Sequence, residues 1–126
     1  MYAIIKQRYK GVIQMAKYEA ELRGSFDEIL ASVNEAIIGR SSSATLEDKS
    51  DFALNGGRCS VRIYERYSYA GKNRVSMSIT LFEADGRIFV SAVTSGGSQA
   101  MFFKINTLGE ESFLDLIKGT LNEYRI

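Results

Sequence analysis

Three neighbouring segments between residues 58 and 95 alternate apolar and polar side chains, and this alternation constrains the fold more than any other feature. In the clearest segment, polar residues alternate with Val75, Met77, Ile79 and Leu81. Successive side chains of a β-strand project to opposite faces of the sheet. A period of two over this length therefore predicts a strand with one buried face.

The segments before and after it predict two further strands. Their apolar rows, predicted to face the same core, are Cys59, Val61, Ile63, Ile88, Val90 and Ala92. Phe89 and Val93 then fall on the opposite face. The breaks between the segments are short, residues 70–73 and the pair Asp85-Gly86, and they contain residues that tolerate positive φ. Short turns join antiparallel neighbours, so the three strands predict an antiparallel meander.

The region before the meander begins with another alternating segment, residues 16–23, in which Tyr18, Ala20 and Leu22 are the apolar members. Ser25 then precedes Glu28 by three residues, which is the capping-box spacing at a helix start. One apolar stripe follows at helical spacing, formed by Phe26, Ile29, Leu30, Val33, Ala36 and Ile37. Gly39 is expected just beyond the end of this helix.

Two segments complete the predicted elements. Residues 44–48 predict a short strand followed by a polar stretch over residues 48–55, and the apolar residues 101–105 predict an optional last strand. Thr107 and Glu110 repeat the capping-box spacing and predict the start of a second helix. Its apolar stripe consists of Phe113, Leu114, Ile117, Leu121 and Tyr124.

The predicted fold class is therefore α+β, in the order β-α-β-β-β-β-(β)-α. It is a two-layer sandwich in which an antiparallel sheet of five to six strands carries both helices on one face. The order resembles one repeat of the TATA-binding-protein fold and also helix-grip domains. This likeness concerns topology and transfers no function.

The domain organisation predicts one domain over residues 15–126 and a separate N-terminal extension over residues 1–14. The extension does not share the later patterns, and Lys10-Gly11-Val12 can be encoded by a purine-rich, ribosome-binding-like sequence ahead of Met15. This favours a mis-called start and a non-native extension. The alternatives are a genuine extra strand at residues 2–9 or a flexible arm.

Several stretches between residues 57 and 110 resemble a known family. They are GRCSVRIYERYS from Gly57, NRVS from Asn73, VTSGGSQA from Val93, FKINT from Phe103 and the pair Gly109-Glu110. The resemblance is to a small family of uncharacterised bacterial proteins, mostly from Gram-positive species, classed as a domain of unknown function. It extends from Met15 to the C-terminus, and it implies no activity.

Composition narrows the function classes. The 16 basic and 15 acidic residues give a net charge of +1, so the overall field does not attract a polyanion. The chain has no histidine, which removes the commonest general base and metal ligand. Cys59, the single cysteine, is predicted to pack in the core. We expect no metal, no cofactor and no catalytic residues, and we favour a non-enzymatic protein.

Nothing in the sequence predicts a membrane span or a signal peptide, and a single cysteine cannot form an internal disulfide. These features predict a cytoplasmic protein without a membrane partner.

A glycine- and hydroxyl-containing segment predicts the candidate ligand site. Two glycines, two serines and an amide follow the third strand of the meander, and exposed backbone amides in such a loop bind anions or polar metabolites. The residues assigned to this site are Ser95, Gly96, Gly97, Ser98, Gln99, Lys104, Arg66 and Glu65. The alternative is a simple glycine turn between two strands.

The sheet face away from the helices offers two further hypotheses. Arginines interleaved with an aromatic residue predict a nucleic-acid surface formed by Arg58, Arg62, Arg66 and Arg74. The balanced charge makes nucleic acid the less favoured partner. Large apolar side chains on the same face predict an interface instead, formed by Tyr64, Phe82, Phe89 and Val93. Self-association through this face as a homodimer is the preferred hypothesis. The alternative is that these residues are merely scattered over the face or are covered by the N-terminal arm.

Overall fold

The computed structural model describes residues 15–68, 73–96 and 103–126 of the chain. It contains five strands and two helices in these ranges. They are β1 (Met15–Leu22), α1 (Phe26–Arg40), β2 (Thr45–Leu54), β3 (Gly57–Ser68), β4 (Asn73–Ala84), β5 (Arg87–Gly96) and α2 (Phe103–Tyr124). The predicted N-terminal extension lies outside the described residues.

The five strands form one open antiparallel sheet in the order β1-β5-β4-β3-β2. Strands β2 to β5 follow one another as a meander, and β1 pairs with β5 because α1 carries the chain across the sheet to β2. Both helices lie against one face, which confirms the predicted α+β class with its antiparallel sheet. We call the covered face the helix face and the opposite one the outer face.

Helix α1 begins as its sequence predicts. The side chain of Ser25 accepts a hydrogen bond from the backbone N–H of Glu28, with 3.3 Å between Oγ and N. The buried stripe consists of Phe26, Ile29, Val33, Ala36 and Ile37. The predicted end is slightly wrong, because Gly39 lies inside the helix and Ser41 is the C-cap residue.

Helix α2 begins earlier than predicted. It includes residues 103–105, so the optional last strand is wrong for these residues, and residues 101–102 lie outside the described range. The predicted capping box at Thr107 and Glu110 is also wrong, since both positions lie within the helix. The predicted stripe is confirmed, with Phe113, Leu114, Ile117 and Leu121 buried.

The C-terminal end of α2 is hydrogen-bonded to β1 and to the residue that follows it. The hydroxyl of Tyr18 donates to Oδ1 of Asn122 at 2.6 Å, and the backbone N–H of Arg23 donates to the carbonyl of Tyr124 at 2.7 Å. The second helix is therefore docked on the sheet, as predicted.

Strands β1, β4 and β5 present the predicted apolar rows to the helices. The buried members are Ala16, Tyr18, Ala20, Leu22, Val75, Met77, Ile79, Leu81, Ile88, Val90 and Ala92. Burying a large apolar side chain contributes about 1.5–3 kcal/mol, so these rows and the helix stripes supply most of the driving force for folding.

Strand β3 has the opposite orientation to the one predicted. Residues opposite each other in an antiparallel pair share a face, and the residues opposite the core members Leu81, Ile79 and Met77 are Ser60, Arg62 and Tyr64. Cys59, Val61 and Ile63 therefore lie on the outer face, where all three are partly exposed. The prediction failed because it assumed that the more apolar row must meet the helices.

Strand β2 is longer than predicted. It runs from Thr45 to Leu54, through the stretch that was predicted to be a polar connection. Asn55 and Gly56, with φ of 53° and 81°, then form a two-residue turn into β3. Asp85 and Gly86 form the predicted turn between β4 and β5, with φ of 55° and 75°. Positive φ at both central positions is the hairpin geometry that Asn-Gly and Asp-Gly favour.

Candidate functional site

A row of apolar side chains crosses four strands on the outer face. Phe52 of β2 pairs with Cys59 of β3, Cys59 pairs with Phe82 of β4, and Phe82 pairs with Phe89 of β5. We call these four residues the aromatic row. The three phenylalanines are 59%, 46% and 40% exposed in chain order, whereas the described core phenylalanines, Phe26 and Phe113, are 4% and 0% exposed.

The two hairpin turns align the aromatic row. In the β2–β3 hairpin, Leu54 and Gly57 form the first pair after the turn, and Phe52 and Cys59 form the third. In the β4–β5 hairpin, Phe82 and Phe89 also form the third pair after the turn. Because each turn has two residues, the register of each hairpin is fixed by local sequence, and the row is built from both hairpins.

Other apolar residues extend the row into a patch. Leu54 follows Phe52 by two residues, so it shares the outer face, and it is 75% exposed. Val61, Ile63 and Val93 lie further along the same face and are partly exposed. The outer face thus carries apolar side chains on all four strands of the meander.

The charges beside the aromatic row are paired with one another. Arg87 donates from Nε and Nη2 to the two carboxylate oxygens of Glu21, each at 2.8 Å. This bidentate pair lowers the pKa of Glu21 and raises the pKa of Arg87. On the next pair of positions, the hydroxyl of Ser91 donates to Glu19 at 2.7 Å. A shallow depression of about 240 Å³ lies between this border and the row, lined by Glu21, Phe82, Ala84, Asp85, Arg87, Ile88 and Phe89.

Cys59 belongs to this patch and not to the core, so its predicted position is wrong. It lies between Phe52 and Phe82 and is partly exposed. Partial burial, with a smaller effect of Asp51, raises the pKa of its thiol. A raised pKa keeps the thiol protonated and weakly nucleophilic near neutral pH.

The predicted interface residues divide between the two faces. Phe82, Phe89 and Val93 lie on the outer face, as expected from their alternation. Tyr64 does not, because it is 1% exposed on the helix face, where its hydroxyl donates to Oδ1 of Asn34 at 2.7 Å. Desolvation raises the pKa of this phenol.

The four predicted nucleic-acid arginines do not form one surface. Arg58, Arg62 and Arg66 lie on the helix face of β3, whereas Arg74 pairs with Tyr67 on the outer face. Arg58 stacks 4.0 Å from the ring centroid of Phe26 and bonds Asp27 at 2.9 Å. The predicted basic surface is therefore wrong, since it required all four arginines to share the outer face.

The predicted ligand loop is described in part. Ser95 and Gly96 are the last residues of β5, and residues 97–99 and the side chain of Lys104 lie outside the described part. Glu65 and Arg66 are consecutive in β3, so they point to opposite faces and do not converge on one site. Glu65 instead accepts from Arg74 at 2.8 Å on the outer face.

Sequence reasoning missed Phe52 and Leu54 because it assigned residues 48–55 to a connection. The signal was present in Asn55-Gly56, the strongest short-range hairpin dipeptide, which would have extended β2 to Leu54. A two-residue turn at that position also places Phe52 directly opposite Cys59.

Other kinds of site find little support in the described residues. A surface groove of about 550 Å³ runs between the helices, lined by Ala31, Ser32, Glu35, Ala36, Gly39, Arg40, Thr120 and Glu123. No three acidic or cysteine side chains of the described residues come together as a metal site. Neither described helix combines the length and apolar character needed to cross a membrane.

Comparison with known proteins places the chain in a family. The model of a family of unknown function, DUF6054, matches residues 15–125. The chain belongs to this family. The DUF6054 match spans all five strands and both helices, and it confirms the resemblance to an uncharacterised family. No curated protein matches the chain.

Solved structures with related backbones are distant in sequence. A protein of unknown function from Pseudomonas aeruginosa, PA94, has a TM-score of 0.47 at 8% identity, covering 88% of this chain and 78% of its own. The hypothetical protein jhp0584 from Helicobacter pylori has a TM-score of 0.47 at 8% identity, covering 92% and 93%. Ara h 8.0201 has a TM-score of 0.40 at 11% identity, covering 88% and 99%.

Proposed function

We propose that the protein is a small, cytoplasmic, non-enzymatic interaction module that self-associates through the outer face of its sheet. The observation that carries the proposal is the aromatic row, in which three exposed phenylalanines on three strands and Cys59 on the fourth form one line across the sheet. Isolated exposed apolar residues are ordinary, whereas a contiguous apolar patch marks an interaction surface.

The size of the face supports a dimer. Taking about 200 Å² for each phenylalanine, the row exposes roughly 300 Å² of aromatic surface before Leu54 is added. Five strands about 4.8 Å apart and about eight residues long make a face of roughly 600 Å². Stable specific interfaces begin at about that area per partner. A second sheet packed face to face would therefore bury enough surface for a specific complex.

The charges favour a second copy over a charged macromolecule. Arg87 pairs with Glu21 and Arg74 pairs with Glu65, so both signs border the patch and neutralise each other. A surface of this kind neither attracts a polyanion nor repels its own copy. A two-fold dimer then places the same patch on both sides of the interface.

Sedimentation velocity over a range of concentrations tests the proposal. We expect the full chain to form dimers, and Phe89→Glu to raise the dimer dissociation constant at least about tenfold, equivalent to about 1.4 kcal/mol. Phe52→Glu should act similarly. Leu46→Glu is the matched control, because Leu46 is a β2 residue opposite Tyr64 on the helix face and is 40% exposed. It should leave the dissociation constant unchanged.

The variants also separate competing modes of association. Edge-to-edge pairing through β2 would be weakened by Phe52→Glu and not by Phe89→Glu, which is three strands away, and would contradict the proposal. A full chain that stays monomeric at every concentration also contradicts it. If deletion of residues 1–14 then induces dimers, that segment and not a second copy covers the face.

A further inference from the structure

The arginines of the sheet differ in one respect that the proposed self-association does not explain. Five arginines lie in the described strands, and four of them have a carboxylate partner. Arg58 pairs with Asp27, Arg62 with Asp51, Arg74 with Glu65 and Glu47, and Arg87 with Glu21. Arg66 has no acidic partner among the described side chains.

Arg66 is also held in a defined position. Its guanidinium lies 4.9 Å from the ring centroid of Phe113, and its Nη2 donates to Oγ of Ser112 at 2.9 Å. Its side chain is partly buried, and this partial burial lowers its pKa. A partly desolvated charge without a counter-ion is costly, so such a residue usually has a further partner.

Arg66 is partly exposed, so solvent reaches part of its side chain. Arg66 lies opposite Val75, and Val75 in turn lies opposite Gly96, so the residues paired across from Arg66 on β4 and β5 carry no charge. Strand β2 begins at Thr45, which is opposite Glu65, and therefore does not extend past Arg66. Among the described pairs no β2 residue lies opposite Arg66, and a small ligand can approach the exposed part of the guanidinium.

The geometry points to a binding site for the carboxylate group of a small molecule, formed by Arg66 and Ser112. A guanidinium has five N–H donors, and Ser112 accepts from one of them among the described contacts. Stacking on Phe113 leaves the planar edge of the guanidinium for two parallel hydrogen bonds, which match the two oxygens of a carboxylate. The Ser112 hydroxyl can donate its own proton to the same ligand.

The charge of the surroundings favours a carboxylate over a phosphate. One guanidinium supplies one positive charge, and the adjacent Glu111 is exposed on the same helix. A phosphate near neutral pH carries up to two negative charges and would require more than this site offers. A singly charged planar group is matched by one arginine and one hydroxyl.

Nuclear magnetic resonance titration of the full chain tests this site. The Nε–H signal of Arg66, identified by its loss in Arg66→Lys, should shift saturably with sodium acetate at constant ionic strength. The Nε–H signals of Arg58 and Arg74 should not. Ser112→Ala should weaken acetate binding about tenfold or more, as expected for one lost hydrogen bond to a charged group.

Ser32→Ala is the matched control, because Ser32 is also a helix serine whose hydroxyl bonds another side chain, that of Tyr124 at 2.9 Å. It should leave acetate binding unchanged. If Arg66→Lys does not fold, acetate binding by Ser112→Ala and by Ser32→Ala is compared instead. A shift that fails to saturate, is equal at all arginines, or is unaffected by Ser112→Ala overturns the proposal. If the Arg66 signal shifts saturably with sodium phosphate and not with acetate, the ligand of this site is not a carboxylate.

Discussion

Strands β3 and β4 are hydrogen-bonded neighbours with the same alternating pattern, yet they turn opposite rows toward the helices. In β4 the apolar row Val75, Met77, Ile79 and Leu81 is buried. In β3 the row on the helix face is Arg58, Ser60, Arg62, Tyr64 and Arg66, and the apolar row is on the outer face. The pattern of alternation thus predicts that a strand forms, but it does not settle which row is buried.

The helices cover only part of the sheet, and this explains the difference. The core lies mainly over β1, β5 and β4, and β3 meets the helices through polar contacts. Arg58 bonds Asp27, Tyr64 bonds Asn34, and Arg66 bonds Ser112. Long polar side chains can pack their apolar stems while their charged ends remain near water. At the border of the core, arginine and tyrosine are therefore more favourable than valine, because each combines an apolar part that packs with a polar end that stays near water or a partner.

The largest expected effect tests the inverted orientation directly. Ile79→Asp should lower the free energy of unfolding by about 3 kcal/mol or more, because it buries an unpaired carboxylate. Ile63→Asp introduces the same side chain on the outer face of β3 and should cost less than about 1 kcal/mol. Urea denaturation of the two variants measures both losses. Equal losses would mean that Ile63 lies in the core, as the sequence predicts, and would contradict the orientation of β3 in the structure.

A second experiment examines the polar contacts that replace apolar packing on β3. The hydrogen bond between Tyr64 and Asn34 should contribute about 1 kcal/mol. A double-mutant cycle with Tyr64→Phe and Asn34→Ala isolates this coupling from the other effects of each substitution. A coupling energy near zero would mean that the hydrogen bond does not stabilise the fold and that Tyr64 contributes only through burial of its ring.

Most of the fold could be predicted because its signals are local. Alternation identified the strands, and the Ser25 cap and the apolar stripe identified α1. The start of α2 could not be recognised, since a short apolar run such as residues 101–105 fits a strand or a helix equally well. The orientation of β3 depends on its pairing with β4, where a slip of one residue exchanges the faces.

The candidate site could be predicted only in part, because only some of its signals are local in the sequence. Phe82 and Phe89 follow from alternation beside a recognisable turn. Phe52 could have been found from Asn55-Gly56, whereas the isolated charge of Arg66 could not. Arg66 has no carboxylate partner among the described side chains, and this is a property of tertiary packing, because the acidic residue next to it in sequence lies on the other face and bonds Arg74.

The smallest expected effect concerns the charges between β2 and β3. The pKa of Asp51 is lowered from its ordinary value of 3.8, first by the hydroxyl of Ser60 and then by Arg62, to which Asp51 is bonded at 3.0 Å. The buried hydroxyl of Ser60 has no hydrogen-bond partner within ordinary distance among the described residues, and Ser60 lies directly opposite Asp51 in the β2–β3 pair. A carboxyl with a lowered pKa in the folded state stabilises the protein above its unfolded pKa, and this contribution is lost as the pH falls through the folded pKa.

Thermal unfolding of the wild type and of Asp51→Asn between pH 7 and about pH 2 measures this contribution. The wild type should have the higher melting temperature at pH 7. The difference should shrink as the pH falls below the ordinary pKa of 3.8 and through the lowered pKa of Asp51 in the folded state, where the protonated side chain resembles the amide. The effect should be small because Asp51 is exposed. Ser60→Ala should reduce the pH dependence as well. If the difference is the same at every pH, Asp51 does not stabilise the β2–β3 hairpin through its charge, and the polar row of β3 depends on its contacts with the helices alone.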